Sequence, residues 1–199
     1  MANQTLSHYF TLSRRYSRSV NLERDLEKVE ALEGYILTNR AKDALSRIWS
    51  RNYNAWTLTS VYGTGKSAFA HFLASLGAPQ SSDMRKKALE IAALALGIDS
   101  PEYRFLGDNF PEQGYLRAVA TGRREPISYT IIRALNRGID GFWSLSQRNN
   151  IPIVAQLVGL ETEIKAGNLL KSREIPEIVM EVAKACLLYT SPSPRDGLL

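Results

Sequence analysis

Leu22, Leu26, Val29 and Leu32 recur at three- and four-residue spacing through the charged stretch 19–33, which predicts an amphipathic helix capped by Ser19 or Asn21 and ended by Gly34. After the short apolar piece Tyr35-Ile36-Leu37, Thr38 is placed to cap a second helix over 39–51, with Ala41, Ala44, Leu45, Ile48 and Trp49 on one face. The period then shortens. Residues 55–62 are β-branched and aromatic with rough alternation, which predicts a strand. They run into Gly63-Thr64-Gly65-Lys66-Ser67 and then a helical stretch closed by Gly77 and Pro79. Ser81 or Ser82 caps a further predicted helix over 83–96, with Gly97 at its end.

Residues 102–114 hold aromatics, Gly and Pro without a period and are expected to form a loop with one short helix. A second strand is predicted over 115–121, followed by the turn 122–126 and a helix over 127–143. Residues 151–158 fit strand or helix, and 160–185 fit two helices broken near Gly167 and Pro176. Strand, turn and helix thus occur twice, which predicts an α/β fold: a parallel sheet flanked by helices, helix-rich and short of strands. No repeat at solenoid period is visible.

Composition narrows the class. The 199 residues carry 25 Lys+Arg against 20 Asp+Glu, a net charge of +5 that permits an anionic partner without demanding one. No apolar run is long enough for a membrane span, and the polar N-terminus lacks a secretory core, so no membrane association and a cytoplasmic address are expected. One Cys excludes an internal disulfide, and two separated histidines with it cannot make a four-ligand zinc site.

From Cys186 the helical pattern breaks into a Ser/Pro run without capping logic. Residues 186–196 resemble the forward translation of a sequencing-library adapter, which implies that 186–199 are not native and stand outside the fold. The same resemblance implies that residues 1–185 are the N-terminal part of a longer protein. The expected organisation is a helical segment over 1–34, a partial nucleotide-binding domain over 35–185 and this tail.

The chemistry centres on one motif. Binding a phosphate chain needs backbone N–H groups converging at a helix N-terminus, a lysine for the β/γ oxygens and a hydroxyl for Mg²⁺. Ser60-Val61-Tyr62-Gly63-Thr64-Gly65-Lys66-Ser67 supplies all three, and matches G-x-x-x-x-G-K-[ST] except that Ser60 replaces the first glycine. Gly63 and Gly65 permit backbone angles that a Cβ obstructs, Lys66 is the charge aimed at the phosphates, and Ser67 is the candidate metal ligand. The plainer alternative is a Gly-rich turn with Lys66 in solvent.

On these residues the chain resembles a P-loop ATPase of the AAA+/STAND type. Its Tyr62-to-Phe69 run, with the later strand, Thr121-Gly122-Arg123 turn and helix, is similar to large bacterial ATPases of anti-phage defence loci. The resemblance implies ATP and Mg²⁺ as cofactors, with Ser60, Gly63, Thr64, Gly65, Lys66 and Ser67 binding them and Lys66 serving catalysis. It implies hydrolysis of the β–γ bond coupled to conformational change, with nucleic acid or a defence-complex protein as partner. The alternative from another class is a non-hydrolysing nucleotide-dependent switch or scaffold. Such families also place an acidic residue after a second apolar strand, and none is evident: Asp99 and Asp140 are the nearest candidates, in helical patterns.

Secondary candidates are fewer. The resemblance places adenine contacts at Tyr35-Ile36-Leu37. Arg123 and Arg124 follow a strand end and could face phosphate or nucleic acid, against a solvated turn. Arg14, Arg15 and Arg18 interleave with Tyr9, Phe10 and Tyr16 as in a nucleic-acid arm, against a packing tail. His71 is expected as a partly exposed helix residue rather than a base, and His8 has no partner that sequence identifies.

Overall fold

The structure, a computed structural model, describes residues 20–50, 55–144, 152–166 and 187–190. In chain order they form α1 (Leu22–Asp25), a 3₁₀ turn (Val29–Ala31), α2 (Asn39–Trp49), α3 (Lys66–Leu76), α4 (Asp83–Leu96), α5 (Pro101–Asp108), β1 (Ala118–Thr121), α6 (Ile127–Phe142), α7 (Pro152–Lys165) and β2 (Leu187–Thr190). The helix starts follow capping chemistry. Thr38 Oγ1 accepts from Ala41 N–H, Ser82 Oγ from Met84 N–H, and Ser100 Oγ from Tyr103 N–H with Pro101 opening α5.

Two apolar cores result, and they are distinct. In the first, Phe69, Phe72, Leu73 and Leu76 of α3 meet Met84, Ala88, Ile91 and Ala92 of α4, with Leu32, Leu37, Leu45 and Leu106 closing the sides. In the second, Leu116, Ala118 and Ala120 pack on Ala134, Leu135 and Ile139 of α6 and on Val154 and Leu157 of α7. The alternation of β1 sends its alanines to the second core and Val119 the other way, onto Leu22 of α1 and Ala70 of α3. Small residues on the α6 side reflect close approach. A Cβ on Gly138 would lie 2.8 Å from a Leu116 methyl and 3.1 Å from the Arg117 carbonyl oxygen.

A backbone clasp ties the α3–α4 turn to the segment entering β1: Tyr115 N–H donates to the Gly77 carbonyl and Gln80 N–H to that of Glu112, each at 2.8 Å. Gly114 makes this possible, with φ of +75° and no room for a Cβ, which would sit 2.6 Å from the Ala78 carbonyl carbon. Arg85 is buried beneath the clasp, where it donates to the Pro111 carbonyl at 3.1 Å and lies over the Phe110 ring at 5.1 Å.

The expected α/β class is not what forms. The described residues are mostly helical, and their strand content is β1 paired in parallel with the four-residue β2, so no parallel sheet flanked by helices exists among them. The expected strand at 55–62 is an exposed segment without regular structure or a ladder. Its alternation favours local extension, but a strand persists only with a partner, and β1 is engaged by β2 on its backbone and by α1 through Glu23. The 151–158 stretch is helical, and the helix expected over 19–33 is broken after Asp25. Extended Lys28 turns the chain there, so that Leu22 enters the junction of the two cores and Leu32 enters the first. The tail was expected to stand outside the fold, whereas Leu187–Thr190 pair with Ala118–Thr121. A ladder uses backbone groups alone, so an open edge accepts any extended segment of adequate β-propensity. The helices expected after Gly167 lie outside the described residues.

Leu22 is 2% exposed and joins elements that do not otherwise share a core. Leu22→Ala is expected to cost about 2–5 kcal/mol, the usual range for a buried Leu truncation. Urea denaturation followed by circular dichroism checks it, and a loss under about 1 kcal/mol would contradict the junction role.

Candidate functional site

The phosphate-loop candidate is a solvent-facing turn that ends in a deeply packed helix. Residues 55–65 are exposed, Lys66, Ser67 and Ala68 are half-buried, and every residue from Phe69 to Leu76 is buried. Gly63 and Gly65 have φ of +82° and +84°, and a Cβ at either would meet nothing within 4 Å. Glycine is therefore needed for the left-handed backbone and not for want of space. The Thr64 hydroxyl donates to the Val61 carbonyl at 3.0 Å and closes the turn.

Lys66 is the first residue of α3, and its Nζ donates to the carbonyls of Ser60 and Val61, both at 3.0 Å. The ammonium is thus held over the loop. Ser60, the departure from the motif, takes part through its backbone, which any residue supplies. Gly65 caps α3 without a side chain, and the first turn contains no acidic residue, so no side chain caps its first N–H groups or offsets the positive end of the dipole. Ser67 stands in that turn with its hydroxyl on a half-buried position. Backbone donors, a cation and a hydroxyl come together within eight residues, which is the donor set a Mg²⁺-bound phosphate chain needs.

The other candidates fall elsewhere. Tyr35 and Leu37 belong to the first core: the Tyr35 ring lies 5.4 Å from that of Phe72, burial pushes its phenol up to about 12, and Leu37 is buried, which leaves Ile36 exposed. Asp99 sits fully exposed on the α4–α5 turn, 3.9 Å from Arg104, and Asp140 is exposed on α6. The aromatic and basic residues 9–18, His8 and Cys186 lie outside the described residues. Arg123 does not wave in solvent; its Nη2 donates to Glu23 at 3.1 Å.

His71 was expected to be partly exposed and is completely buried. The Asp25 carbonyl can only accept, so the ring carries its proton on Nε2 and donates over 2.7 Å, while Nδ1 is buried without a hydrogen-bond partner. Burial, the largest influence, holds its pKa below the ordinary value against the contrary pull of Asp25. Sequence gives no sign of this contact, because its partner is a backbone carbonyl 46 residues away. The cluster on Glu23 was also missed: Thr121 N–H, Arg123 and Arg137 all bond to it from about a hundred residues downstream. Burial alone would raise the Glu23 carboxyl, and the donations from Thr121 and Arg137 outweigh it, so the group is held below its usual range.

No known protein family matches the chain, and neither a curated protein nor a solved structure does. No helix among the described residues is long and apolar enough to cross a membrane.

His71 makes stability pH-dependent with a fixed sign. With its folded pKa lowered, the unfolded chain binds the proton more readily, so stability is full above the ordinary value of about 6.5 and falls as pH drops from there through the folded value. Urea midpoints at pH 7.5 and 5.5 are expected to fall for the wild type and to change much less for His71→Gln, whose amide keeps a donor toward Asp25. Equal pH dependence in both proteins would assign the effect to other groups.

Proposed function

We propose that the chain binds Mg²⁺-ATP through residues 60–67, in the cytoplasm, as a module whose nucleotide state is coupled to conformation. The observation that carries this is the pairing of two left-handed glycines, Gly63 and Gly65, with an uncapped helix N-terminus that opens on Lys66. Uncapped amides at a helix start favour a phosphate, and the helix behind them is fixed by burial, so they need no reorganisation to receive it. In this role the backbone of residues 63–67 and Lys66 hold the β- and γ-phosphates, with Lys66 exchanging two neutral carbonyl acceptors for charged oxygens. Ser67 holds the metal, which when bound neutralises phosphate charge.

A second function, a nucleotide-dependent switch that does not hydrolyse, is favoured by the placement of the acidic candidates. Asp99 is paired with Arg104 in solvent, and the Lys66 ammonium bonds to carbonyls and not to a carboxylate. Hydrolysis requires a positioned water and an acidic partner for the metal. Binding without appreciable turnover is therefore expected of these residues.

Calorimetry with Mg²⁺-ATP tests the assignment. Lys66→Ala is expected to lose most of the affinity with little change in the melting temperature of the free protein, since Nζ touches only loop carbonyls. Gly65→Ala is expected to cost about 1–2 kcal/mol of stability from backbone strain alone and to weaken binding by displacing the first α3 amides. Ser60→Gly is expected to leave affinity unchanged or raise it. Equal affinity in wild type and Lys66→Ala would sink the proposal, and turnover abolished by Lys66→Ala would exclude the switch.

A further inference from the structure

A second set of anion donors lies at the C-terminal end of β1, apart from the loop. Thr121 N–H donates to Glu23 Oε1 at 2.9 Å, while Arg123 Nη2 at 3.1 Å and Arg137 Nη1 at 2.9 Å reach Oε2. The strand, the turn after it and α6 each contribute one donor to a single carboxylate. Both arginine side chains are about half exposed, so the cluster opens to solvent. Glu23 is not what holds α1 in place. Leu22 is buried between Ala70 and Val119, His71 donates to the Asp25 carbonyl, and Arg117 bonds Glu27 at 2.6 Å. α1 thus has contacts that do not involve the Glu23 side chain.

Charge decides what fits in its place. Two guanidinium groups face one carboxylate and leave an excess of one positive charge, and nearby Arg133, already paired with Glu125, feels both. A phosphate group offers the same two-oxygen edge with more charge and further acceptor atoms.

We propose that Thr121 N–H, Arg123 and Arg137 form a phosphate-binding site which Glu23 fills as an internal stand-in and yields to a phosphate group. The ligand is a free phosphate or phosphomonoester, or the backbone of a single-stranded nucleic acid. It is separate from the nucleotide loop and does not depend on it.

The test follows the Thr121 amide by nuclear magnetic resonance in the full chain carrying Lys66→Ala, which removes the loop lysine as a competitor. Titration with inorganic phosphate, against sodium chloride at matched ionic strength, is expected to move that amide saturably. Adding Glu23→Gln is expected to tighten half-saturation by about tenfold, the scale of one charge-assisted contact, because the competing carboxylate is gone. Should Glu23→Gln fail to fold, Arg123→Ala in its place is expected to weaken phosphate by a similar factor. A short single-stranded oligothymidylate that shifts Thr121 below the phosphate concentration required would identify nucleic-acid backbone as the source, and response to phosphate alone would identify the free group. A Thr121 amide that ignores phosphate, moves equally in sodium chloride, or is indifferent to both substitutions would overturn the site and leave Glu23 as a structural ion pair.

Discussion

The contact between Leu22, Ala70 and Val119 is the constraint on which the arrangement of this chain rests. The helical core around α3 and the layer formed by β1, α6 and α7 are separate apolar clusters, each too small to fix the other's position. α1 is four residues long, yet its Leu22 packs on Ala70 of α3 and on Val119 of β1, one from each side of the seam. Its apolar side chain fills the seam, and the Asp25 carbonyl, with Glu27 just beyond the helix, fastens its flanks. Burial supplies the energy here, and the ion pairs supply register.

Rigidity in α3 has a further effect at its exposed end. A helix whose last eight residues are all buried cannot tilt without opening a core, so the orientation of its first turn is set by packing far from solvent. The loop before it is the opposite: small, exposed and bent by two glycines. The first turn of α3 is therefore held in a fixed orientation beside an exposed turn.

Much of this was legible in the sequence, and unevenly. Thr38, Ser82 and Ser100 mark helix starts because capping is local, and Gly63 and Gly65 take left-handed angles just ahead of the helix that starts at Lys66. Residues 55–62 were misread because alternation reports only local preference, whereas a strand also needs a neighbour, a property of the whole fold. The break after Asp25 went unseen since Leu22 and Leu32 share a helical period while serving different cores. Buried His71, Arg85 and the donors on Glu23 were invisible because their partners are remote in sequence, several of them backbone groups that every residue carries.

Those remote partners also imply an order of assembly. The bonds from Thr121, Arg123 and Arg137 to Glu23 close loops of roughly a hundred residues, whereas α3 and α4 are neighbours across a six-residue turn. Loop-closure entropy makes long-range contacts slow to nucleate, so the α3–α4 pair collapses early and α1, which can meet α3 first, completes its contacts only once β1 and α6 exist. Although made before β1 and α6, α1 is thus late to complete its contacts, and during that interval the seam it will fill is open to chaperones, proteases and other chains.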